Sequence, residues 1–440
     1  MSLNRKEFLK KTSLSAAGLG VFSILPSSVW GAKVAPSDQI NVALIGCRNH
    51  GFNILRHHLS NEGVNCAALC DVDENVLNER ARDVKENYNQ DPKLYKDFRN
   101  LLEQTDIDAV IIGTPDHWHC LNFVYACQAE KDIYVEKPLA NTIAECDIMV
   151  RAAGQYNRVV QVGQQQRSNI AFYEPMELIK TGHIGELRQV NIWANFNYGI
   201  GASPAEDSPV PEGVDYDFWL GPAPERPFNP ARFHGSWRHF WDYGGGLFSD
   251  WGVHLIDMAL WPDEIFKGPD KVLTYAGDTA GRSGMRETFD TMNVIYPKEN
   301  YVINYDMTAG VQQGPWGKTY GVAFVGDNGT IVADRNGYDV HPEYENGSGR
   351  TEAKTLSGSS DSHGEHVRNF LDCIKSRETP ACTPEMGYSA ALHAHIPNIA
   401  GRIGANLLEW DDENLRFINS EEANQYITPE YRGPWTLPRI

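Results

Sequence analysis

From residue 40 onwards, short runs of apolar and β-branched residues alternate with longer stretches of helical periodicity. Five runs are predicted as strands, at residues 40–45, 64–70, 107–112, 133–135 and 159–162. Asp73 is placed to cap a helix that continues to Tyr88, and Thr142-Ile143-Ala144-Glu145 is a capping box at the start of another helix. This alternation predicts a parallel sheet covered by helices.

The second half of the chain has a different pattern, with polar and apolar residues alternating at a period of two. Strands are predicted at 189–198, 272–276, 288–296, 301–308 and 320–325, and Gly326-Asp327-Asn328-Gly329 is a predicted turn between two of them. Helical patterns cover 248–260, 363–376 and 384–404. Residues 199–230, rich in proline, glycine and acidic residues, are long enough to form a lid or an oligomer contact.

Composition and charge narrow the functional classes. The chain has 440 residues, 41% of them apolar, which is enough to bury the cores of two domains. The formal net charge of −19 repels nucleic acid and anionic lipid, so we expect neither as a partner. No run after the N-terminal region approaches the roughly 18 apolar residues of a membrane span.

The first 32 residues look like a targeting segment rather than part of the fold. A basic stretch from Asn4 to Lys11 precedes an apolar stretch that is too short to span a membrane stably. The pattern resembles a twin-arginine export signal, with Lys6 where the second arginine usually stands. We therefore predict a periplasmic protein; the alternative is a cytoplasmic protein with a basic leader.

Cysteine usage gives no sign of a disulfide framework. No CxxC pair occurs, and most of the cysteines lie inside apolar strand or helix patterns, where free cysteine behaves as a small hydrophobic residue. The eight are Cys47, Cys66, Cys70, Cys120, Cys127, Cys146, Cys373 and Cys382.

The first predicted strand leads directly into a turn that contains two glycines. Gly46-Cys47-Arg48-Asn49-His50-Gly51 stands between a strand and a helix, where a dinucleotide-binding turn holds a pyrophosphate. Arg48 occupies a position that is usually glycine, so the fingerprint is incomplete. Asp71 ends the second strand and is placed to bind the adenosine ribose, which favours NAD. A guanidinium at Arg48 would offset that preference, so NADP stays open.

A polar loop follows the next strand of the first half, beginning at Thr114-Pro115. Asp116, His117 and His119 lie in this loop. They do not have the spacing of a recognised metal motif, so helix capping and cofactor lining are favoured over a metal site, and we predict no metal.

Lys137 stands between Glu136 and Pro138 where the strand at 133–135 ends. Pro138 keeps the backbone of Lys137 out of helical geometry. In that place the lysine can hydrogen-bond both a cofactor hydroxyl and a substrate oxygen. The alternative is a surface lysine paired with Glu136.

The glycine run Gly244-Gly245-Gly246 precedes the third polar segment, and such a run lets backbone approach a ligand closely. If residues 248–260 are helical, Asp250 and His254 lie on one face at positions i and i+4, with Asp257 beyond them. The alternative for His254 is a capping or core histidine. The aromatic and charged residues of 237–243 suit sugar stacking, or else the edge of an aromatic core.

Taken in order, these segments resemble the Gfo/Idh/MocA oxidoreductases. The motifs are Gly46-x4-Gly51, Asp71, Thr114-Pro115-x3-His119, Glu136-Lys137-Pro138, Gly182-x2-Gly185-Glu186 and Asp250-x3-His254. The resemblance covers residues 38–415 and implies an α/β protein. A Rossmann domain at 38–162 would precede an α+β domain at 163–440 that has a large, mostly antiparallel sheet, with late helices at about 363–404 packing back on the first domain.

The motifs and the resemblance together predict the site. Cofactor contacts are expected from Gly46, Arg48, Asn49, Gly51, Asp71, Thr114, Pro115, His117, His119, Glu136, Lys137 and Gln166. Substrate contacts are expected from Arg167, Trp237, Arg238, Tyr243, Asp250 and His254. In the catalytic group, His254 is expected to act as general base, Lys137 to stabilise the alkoxide and Asp250 to position both or to raise the basicity of the imidazole.

The resemblance implies hydride transfer from a sugar hydroxyl to NAD(P), in a homo-oligomer that is a dimer or a tetramer. If the export signal is functional, the cofactor must be loaded before transport and stay tightly bound. Two alternatives stay open. An exported enzyme with a captive cofactor can instead be a redox-neutral glycosidase that oxidises, eliminates and reduces. The chain can also be a non-catalytic protein that binds sugar or NAD.

Overall fold

The first sheet consists of six parallel strands whose apolar runs are buried on both faces. The structure is a computed structural model that describes residues 39–263, 266–280 and 284–440. The predicted export signal lies outside these residues. The strands are β1 (Ile40–Ile45), β2 (Val64–Cys70), β3 (Lys93–Tyr95), β4 (Ala109–Ile112), β5 (Asp132–Val135) and β6 (Val160–Val162), in the order β3-β2-β1-β4-β5-β6. Strand order reverses between β1 and β4, the switch point where ligands bind in open α/β sheets.

Helices cover both faces of this sheet, because successive side chains of each strand point to opposite sides. The helices of this half are α1 (Asn49–Leu59), α2 (Glu74–Tyr88), α3 (Phe98–Leu102), α4 (His119–Gln128) and α5 (Ile143–Tyr156). Val42 and Leu44 of β1 join one buried cluster, whereas Ala43 and Ile45 join another. The Asp73 side chain caps α2 by accepting from the backbone N–H of Asn75, as predicted.

The second sheet is mixed and has ten strands, in the order β16-β13-β12-β11-β7-β10-β9-β8-β17-β18. Only the pairing of β7 with β10 is parallel. Its strands are β7 (Leu187–Phe196), β8 (Lys271–Gly277), β9 (Thr291–Pro297), β10 (Val302–Ala309), β11 (Tyr320–Gly326), β12 (Gly329–Asp334), β13 (Gly337–Pro342), β16 (Lys354–Ser357), β17 (Leu407–Asp411) and β18 (Arg416–Phe417); β14 (Tyr344–Glu345) and β15 (Ser348–Gly349) form a separate hairpin.

One face of the second sheet packs on helices; the other buries Trp193, Ala323 and Val332 but is exposed around β8, β9 and β17. The remaining helices are α6 (Ile170–Lys180), α7 (Tyr216–Leu220), α8 (Gly246–Asp250), α9 (Gly252–Leu260), α10 (Ser362–Ser376), α11 (Pro384–Arg402) and α12 (Glu421–Asn424). On the exposed part of the sheet, Leu407, Leu273 and Ile295 are cross-strand neighbours and all three are exposed. Phe370 of α10 packs in the cluster that covers the first sheet.

The predicted fold class, a parallel sheet with helices followed by a mostly antiparallel sheet, is confirmed. Two local predictions are wrong. The stretch predicted as one helix at 248–260 is two helices, α8 and α9, separated at Trp251. The Thr142 side chain makes no hydrogen bond to the helix backbone and instead donates to the Glu145 carboxylate. Among the described residues, no helix combines the length and apolar character needed to span a bilayer.

Candidate active site

The turn after β1 is built by close contact of backbone with backbone. Gly46 has a φ of 88°, a conformation that favours glycine. A Cβ atom on Gly51 would lie 2.2 Å from the Gly46 carbonyl oxygen, and one on Gly113 would lie 2.6 Å from Gly51 Cα. Arg48 has φ −83°, which any residue adopts, so the turn does not require glycine there. The turn therefore has the geometry of a dinucleotide-binding turn, although Arg48 stands where the sequence fingerprint has glycine.

Asp71 joins the turns that follow β1 and β2. Its Oδ2 accepts from the Cys47 backbone N–H at 2.7 Å, and its Oδ1 accepts from the Asp73 N–H at 2.9 Å. Burial raises the pKa of Asp71 to about 6, against the effect of these hydrogen bonds. The carboxylate lines the cleft, where it is placed to accept from ribose hydroxyls.

A cleft of about 1070 Å³ lies at the carboxyl edge of the first sheet and opens to solvent. The predicted residues that line it are Gly46, Arg48, Asn49, Gly51, Asp71, Thr114, Pro115, Glu136, Lys137, Trp237 and Arg238. The glycine-lined turn, the N-terminus of α1 and the Asp71 carboxylate fit a dinucleotide, because they offer N–H donors to a pyrophosphate and an acceptor to a ribose.

Residues 211–238, which we call the strap, close one side of this cleft. The strap is fastened to the turn after β2: Gly213 O accepts from Glu74 N at 2.9 Å, and the N–H of Asp215 donates to Val72 O at 2.9 Å. The His234 ring adds a contact of 2.6 Å from Nε2 to Asp73 Oδ2. The same carboxyl group therefore caps α2 and anchors the strap.

Lys137 lies where β5 ends and is held by Asp250. Its Nζ donates to Asp250 Oδ1 at 2.5 Å and to the Asp250 carbonyl at 3.0 Å, and Arg238 Nε donates to the same Oδ1 at 3.0 Å. Burial alone would raise the pKa of Asp250, but the two cations hold it well below its usual range. A permanently ionised carboxylate thus fixes the ammonium group at the mouth of the cleft.

His254 is not paired with Asp250, contrary to the sequence prediction. Instead, Gln166 bridges His254 and Arg335. Because a guanidinium group has no acceptor, the amide atom that faces Arg335 must be the oxygen, at 2.9 Å from Nη2 and 3.2 Å from Nε. The amide nitrogen then donates to His254 Nδ1 at 2.8 Å. Nδ1 is an acceptor, so the neutral imidazole carries its hydrogen on Nε2.

Electrostatics reinforce the neutral form of His254. Burial has the largest effect and lowers the pKa of this imidazole well below its usual value, and the positive charges of Lys137 and Arg335 lower it further. The chain thus holds His254 as a hydrogen-bond donor at Nε2 with no lone pair there to accept a proton.

Two further carboxyl groups flank Lys137. Glu136 is buried, and His50 Nε2 lies 3.2 Å from its Oε1. Despite burial, which opposes ionisation, His50 and Lys137 lower the pKa of Glu136 to about 2. Asp116 has the opposite shift: burial raises its pKa to about 8, although Arg238 and Lys137 act against this. Near neutral pH the site therefore contains an ionised Glu136 and a protonated Asp116.

The glycine run at 244–246 makes room for protein atoms rather than for a ligand. A Cβ on Gly244 would lie 3.3 Å from Asp116 Oδ2, and one on Gly245 would lie 2.4 Å from the Ser249 hydroxyl. Gly246 has a φ of 70° and lies against Thr288. The run is explained by the close packing of the segment that carries Asp250.

Three of the predicted contacts have other roles in the structure. Both ring nitrogens of His119 face backbone carbonyls, of Pro138 and of Thr114, and His117 faces the Trp219 carbonyl. Tyr243 is completely buried in an aromatic cluster with Trp219. None of the three lines the cleft, so their contacts in the structure are those of residues that support its walls.

Arg167, expected to contact the substrate, and Gln166, expected to contact the cofactor, both contact other side chains in the structure. The Arg167 guanidinium forms a buried, bidentate ion pair with Asp257 at 2.7–3.0 Å, and Arg167 does not line the cleft. Gln166 contacts His254 and Arg335, and like both of them it does not line the cleft. Within the described part of the chain, no group of three or more His, Cys, Asp or Glu side chains is arranged to hold a metal ion.

Three residues that contact the site were not predicted from the sequence. His50 and Arg335 touch the site although neither was assigned a role from the sequence, and His234 lies between the loop predicted at 199–230 and the aromatic segment at 237–243. His50 stands inside the glycine turn, and this position was the one available signal. Nothing local marks Arg335, which comes from the turn after β12, about two hundred residues from Lys137.

Two family models match the chain. Residues 40–164 match the model described as "Oxidoreductase family, NAD-binding Rossmann fold", and residues 177–265 and 350–437 match its partner, "Oxidoreductase family, C-terminal alpha/beta domain". The chain belongs to the Gfo/Idh/MocA oxidoreductase family. Its first half is therefore an NAD-binding Rossmann domain, and the predicted cofactor class is confirmed.

Relatives and solved structures agree with this membership. A glycosyl hydrolase family 109 protein of Shewanella pealeana is 31% identical over 205 residues, which cover 42% of this chain and 45% of that protein. The chain thus matches less than half the length of this relative. An aldose-aldose oxidoreductase from Caulobacter crescentus has a TM-score of 0.64 at 17% identity, over 84% of this chain and 99% of that one. A myo-inositol 2-dehydrogenase from Lactobacillus plantarum has a TM-score of 0.62 at 19% identity, over 84% and 99%. These likenesses show the fold.

Proposed function

We propose that this Gfo/Idh/MocA protein oxidises a carbohydrate hydroxyl and passes the hydride to a tightly held NAD. The arrangement that carries the proposal is the ammonium of Lys137, fixed by Asp250 at the end of the dinucleotide cleft beside the neutral imidazole of His254. The nicotinamide, when bound, supplies the hydride acceptor. Two hydrogen-bonding groups from different strands and helices then converge on one substrate oxygen.

Lys137 is the proton carrier in this proposal. The ammonium of Lys137 first releases one proton to solvent. As the substrate is then oxidised, the C–H electron pair leaves as hydride, the O–H proton goes to the resulting lysine amine, and a carbonyl forms. In the reverse direction the ammonium returns the proton. His254 donates from Nε2 to the same oxygen and stabilises its developing charge. This replaces the predicted role of His254 as general base, because Gln166 occupies the only acceptor nitrogen.

The test begins with the purified protein. Denaturation should release one nucleotide per chain, which mass spectrometry identifies as NAD or NADP. A panel of sugars and glycosides added to the native protein should then produce the absorbance of reduced nicotinamide. A protein that binds nucleotide but shows no reduction with any member would contradict the proposal and favour a non-catalytic binding role.

The redox-neutral glycosidase is a second candidate, favoured by the name of the Shewanella relatives, "Glycosyl hydrolase family 109 protein". Both candidates share the hydride step, but only the glycosidase then eliminates a substituent and reduces the product. Incubation of glycosides in deuterated water separates the two reactions. Release of the aglycone, with deuterium entering beside the oxidised carbon and no net reduction of NAD, identifies the glycosidase.

We also propose export through the twin-arginine route and assembly into a homo-oligomer. Export rests on the basic and apolar pattern of residues 1–32. Oligomerisation is supported by the exposed apolar neighbours Leu407, Leu273 and Ile295 on the exposed part of the second sheet. Cell fractionation tests the first proposal. Light scattering of Leu273→Lys beside the unmodified protein tests the second, and a monomer in both would overturn it.

A further inference from the structure

Arg335 has no carboxylate partner in the site. It reaches from the turn after β12 and lies over the Trp251 ring, with the guanidinium carbon 4.3 Å from the ring centroid. Among the residues of 39–263, 266–280 and 284–440, no carboxylate forms an ion pair with it, whereas Arg238 pairs with Asp250 and Arg167 with Asp257. A largely buried cation without a counter-ion has a desolvation cost that a bound anion would offset.

The guanidinium of Arg335 has two hydrogen-bonding edges, and only one of them contacts an acceptor among the described residues. Nε and one hydrogen of Nη2 point to the Gln166 oxygen, at 3.2 and 2.9 Å. The opposite edge, formed by Nη1 and the second hydrogen of Nη2, has no acceptor among the described residues. Such an edge presents two parallel N–H groups, the geometry that fits the two oxygens of a carboxylate.

The charges around this edge favour an anion. Lys137, Arg238 and Arg335 are positive, and only Asp250 and Glu136 oppose them, because burial raises the pKa of Asp116 to about 8. His50, whose pKa is raised mainly by Glu136, adds positive charge as it protonates. The site is thus positive in a chain whose net charge is −19. An anionic substrate is the ligand that this local imbalance selects.

We propose that the substrate is an acidic sugar whose carboxylate is bound end-on by Arg335 while Lys137 and His254 hold the reacting hydroxyl. The inference rests on the proposed hydride transfer and narrows its substrate class to uronic acids and their glycosides. A single amide group, that of Gln166, separates the guanidinium from the imidazole. The charges of Lys137 and Arg335 both act on His254, and those of Asp250 and Glu136 act on Arg335, so the guanidinium belongs to the same cluster as the catalytic groups.

The test compares matched pairs of sugars on the protein with its bound NAD. Glucuronate and glucose, and galacturonate and galactose, differ only at the group that Arg335 would bind; glucose 6-sulfate tests whether sulfate serves as well. We expect kcat/KM about 10- to 100-fold higher for each uronate than for its neutral partner, the range of charge-assisted hydrogen bonds. Calorimetry should show the same preference in binding.

Arg335→Met should lower kcat/KM for the uronates by about the same 10- to 100-fold and thereby remove the preference. Arg335→Lys keeps the positive charge but loses the two parallel N–H groups, so it should retain part of the preference for uronates. Arg350→Met is the matched control at an exposed arginine that pairs with Glu345. Nucleotide content and melting temperature establish that each variant is folded.

The outcomes separate the two proposals. Equal kcat/KM for acid and neutral partners in the unmodified protein, or an equal loss for both in Arg335→Met, overturns the acidic-sugar inference and leaves Arg335 as a support for Gln166. Preference for glucose 6-sulfate over glucuronate also overturns it, in favour of a sulfated substrate. Uronate-selective binding without any reduction or glycoside cleavage supports the anion site and contradicts the proposed function.

Discussion

The two ends of the cleft are built by different means. At the nucleotide end, Gly46, Gly51 and Gly113 bring backbone against backbone, and the determinants lie within short segments at the ends of strands. At the catalytic end, Lys137 and His254 are fixed by side chains from distant parts of the chain. The shape of the backbone at the first end fits a nucleotide. At the second end, hydrogen bonds and ion pairs between side chains fix the positions of the Lys137 ammonium and of the proton on His254. Substitutions at the two ends should therefore fail in different ways.

The largest effect is expected for Gly51→Ala. Its Cβ would meet the Gly46 carbonyl oxygen at 2.2 Å, so the turn must shift, which costs about 1–3 kcal/mol and displaces the N–H groups that face a pyrophosphate. We expect loss of the bound nucleotide and of all turnover, with a lower melting temperature. Gly154→Ala is the control, because apart from its chain neighbours and the backbone of its own helix α5, no described atom lies within 4 Å of its Cβ position. Full nucleotide content in Gly51→Ala would refute the account of the turn.

Lys137→Met should show the opposite failure, with the nucleotide retained and turnover lost. The change removes the proton carrier and leaves Asp250 with Arg238 as its remaining cation. We expect kcat to fall about 10²- to 10⁴-fold, measured by reduction of bound NAD with the best sugar. A comparable loss of nucleotide would mean that the lysine acts mainly at the cofactor and that the two ends are not separable.

Arg167→Met tests a buried cation that has its own counter-ion. The change leaves the buried Asp257 carboxylate without its counter-ion. We therefore expect the free energy of unfolding to fall by about 3–5 kcal/mol, measured by urea denaturation. KM for the sugar should stay near that of the unmodified protein. The double variant Arg167→Met, Asp257→Leu should recover much of the stability. A raised KM without loss of stability would return Arg167 to the substrate set.

His254→Ala should reduce kcat about 10²- to 10³-fold through loss of the Nε2–H donor. The shape of the pH profile distinguishes donor from base. If His254 only donates, the profile of the variant keeps its form at a lower rate. Disappearance of a limb of the profile in His254→Ala would restore the general-base role predicted from the sequence.

A pH-dependent effect on stability is expected for Asp116, whose pKa is raised to about 8 by burial, above the value near 4 of an unfolded chain. Between these values the folded protein binds a proton that the unfolded protein releases, so stability falls as pH rises through this window. Asp116→Asn should flatten the dependence of stability on pH between pH 5 and 8, measured by denaturant unfolding. An unchanged slope would contradict the shift.

Local sequence patterns predicted the nucleotide end of the cleft better than the catalytic end. The β1 and β2 boundaries, the Asp73 cap and the place of Asp71 in the cleft could be predicted, because apolar runs, caps and turn glycines act over a few residues. The sequence singled out His254, but it did not indicate which ring nitrogen of His254 carries the hydrogen. Its tautomer depends on Arg335 through Gln166, a contact between segments far apart in the chain that no local periodicity encodes.

The strap makes nucleotide binding depend on a segment that lies outside the first sheet. Because residues 211–238 wall the cleft and are fastened at Val72, Asp73 and Glu74, the nucleotide pocket is complete only after the second half of the chain has been synthesised and docked. We expect a fragment that ends before the strap to exchange nucleotide rapidly even with every glycine of the turn in place. Retention of the cofactor would then depend on residues that lie outside the segment 38–162.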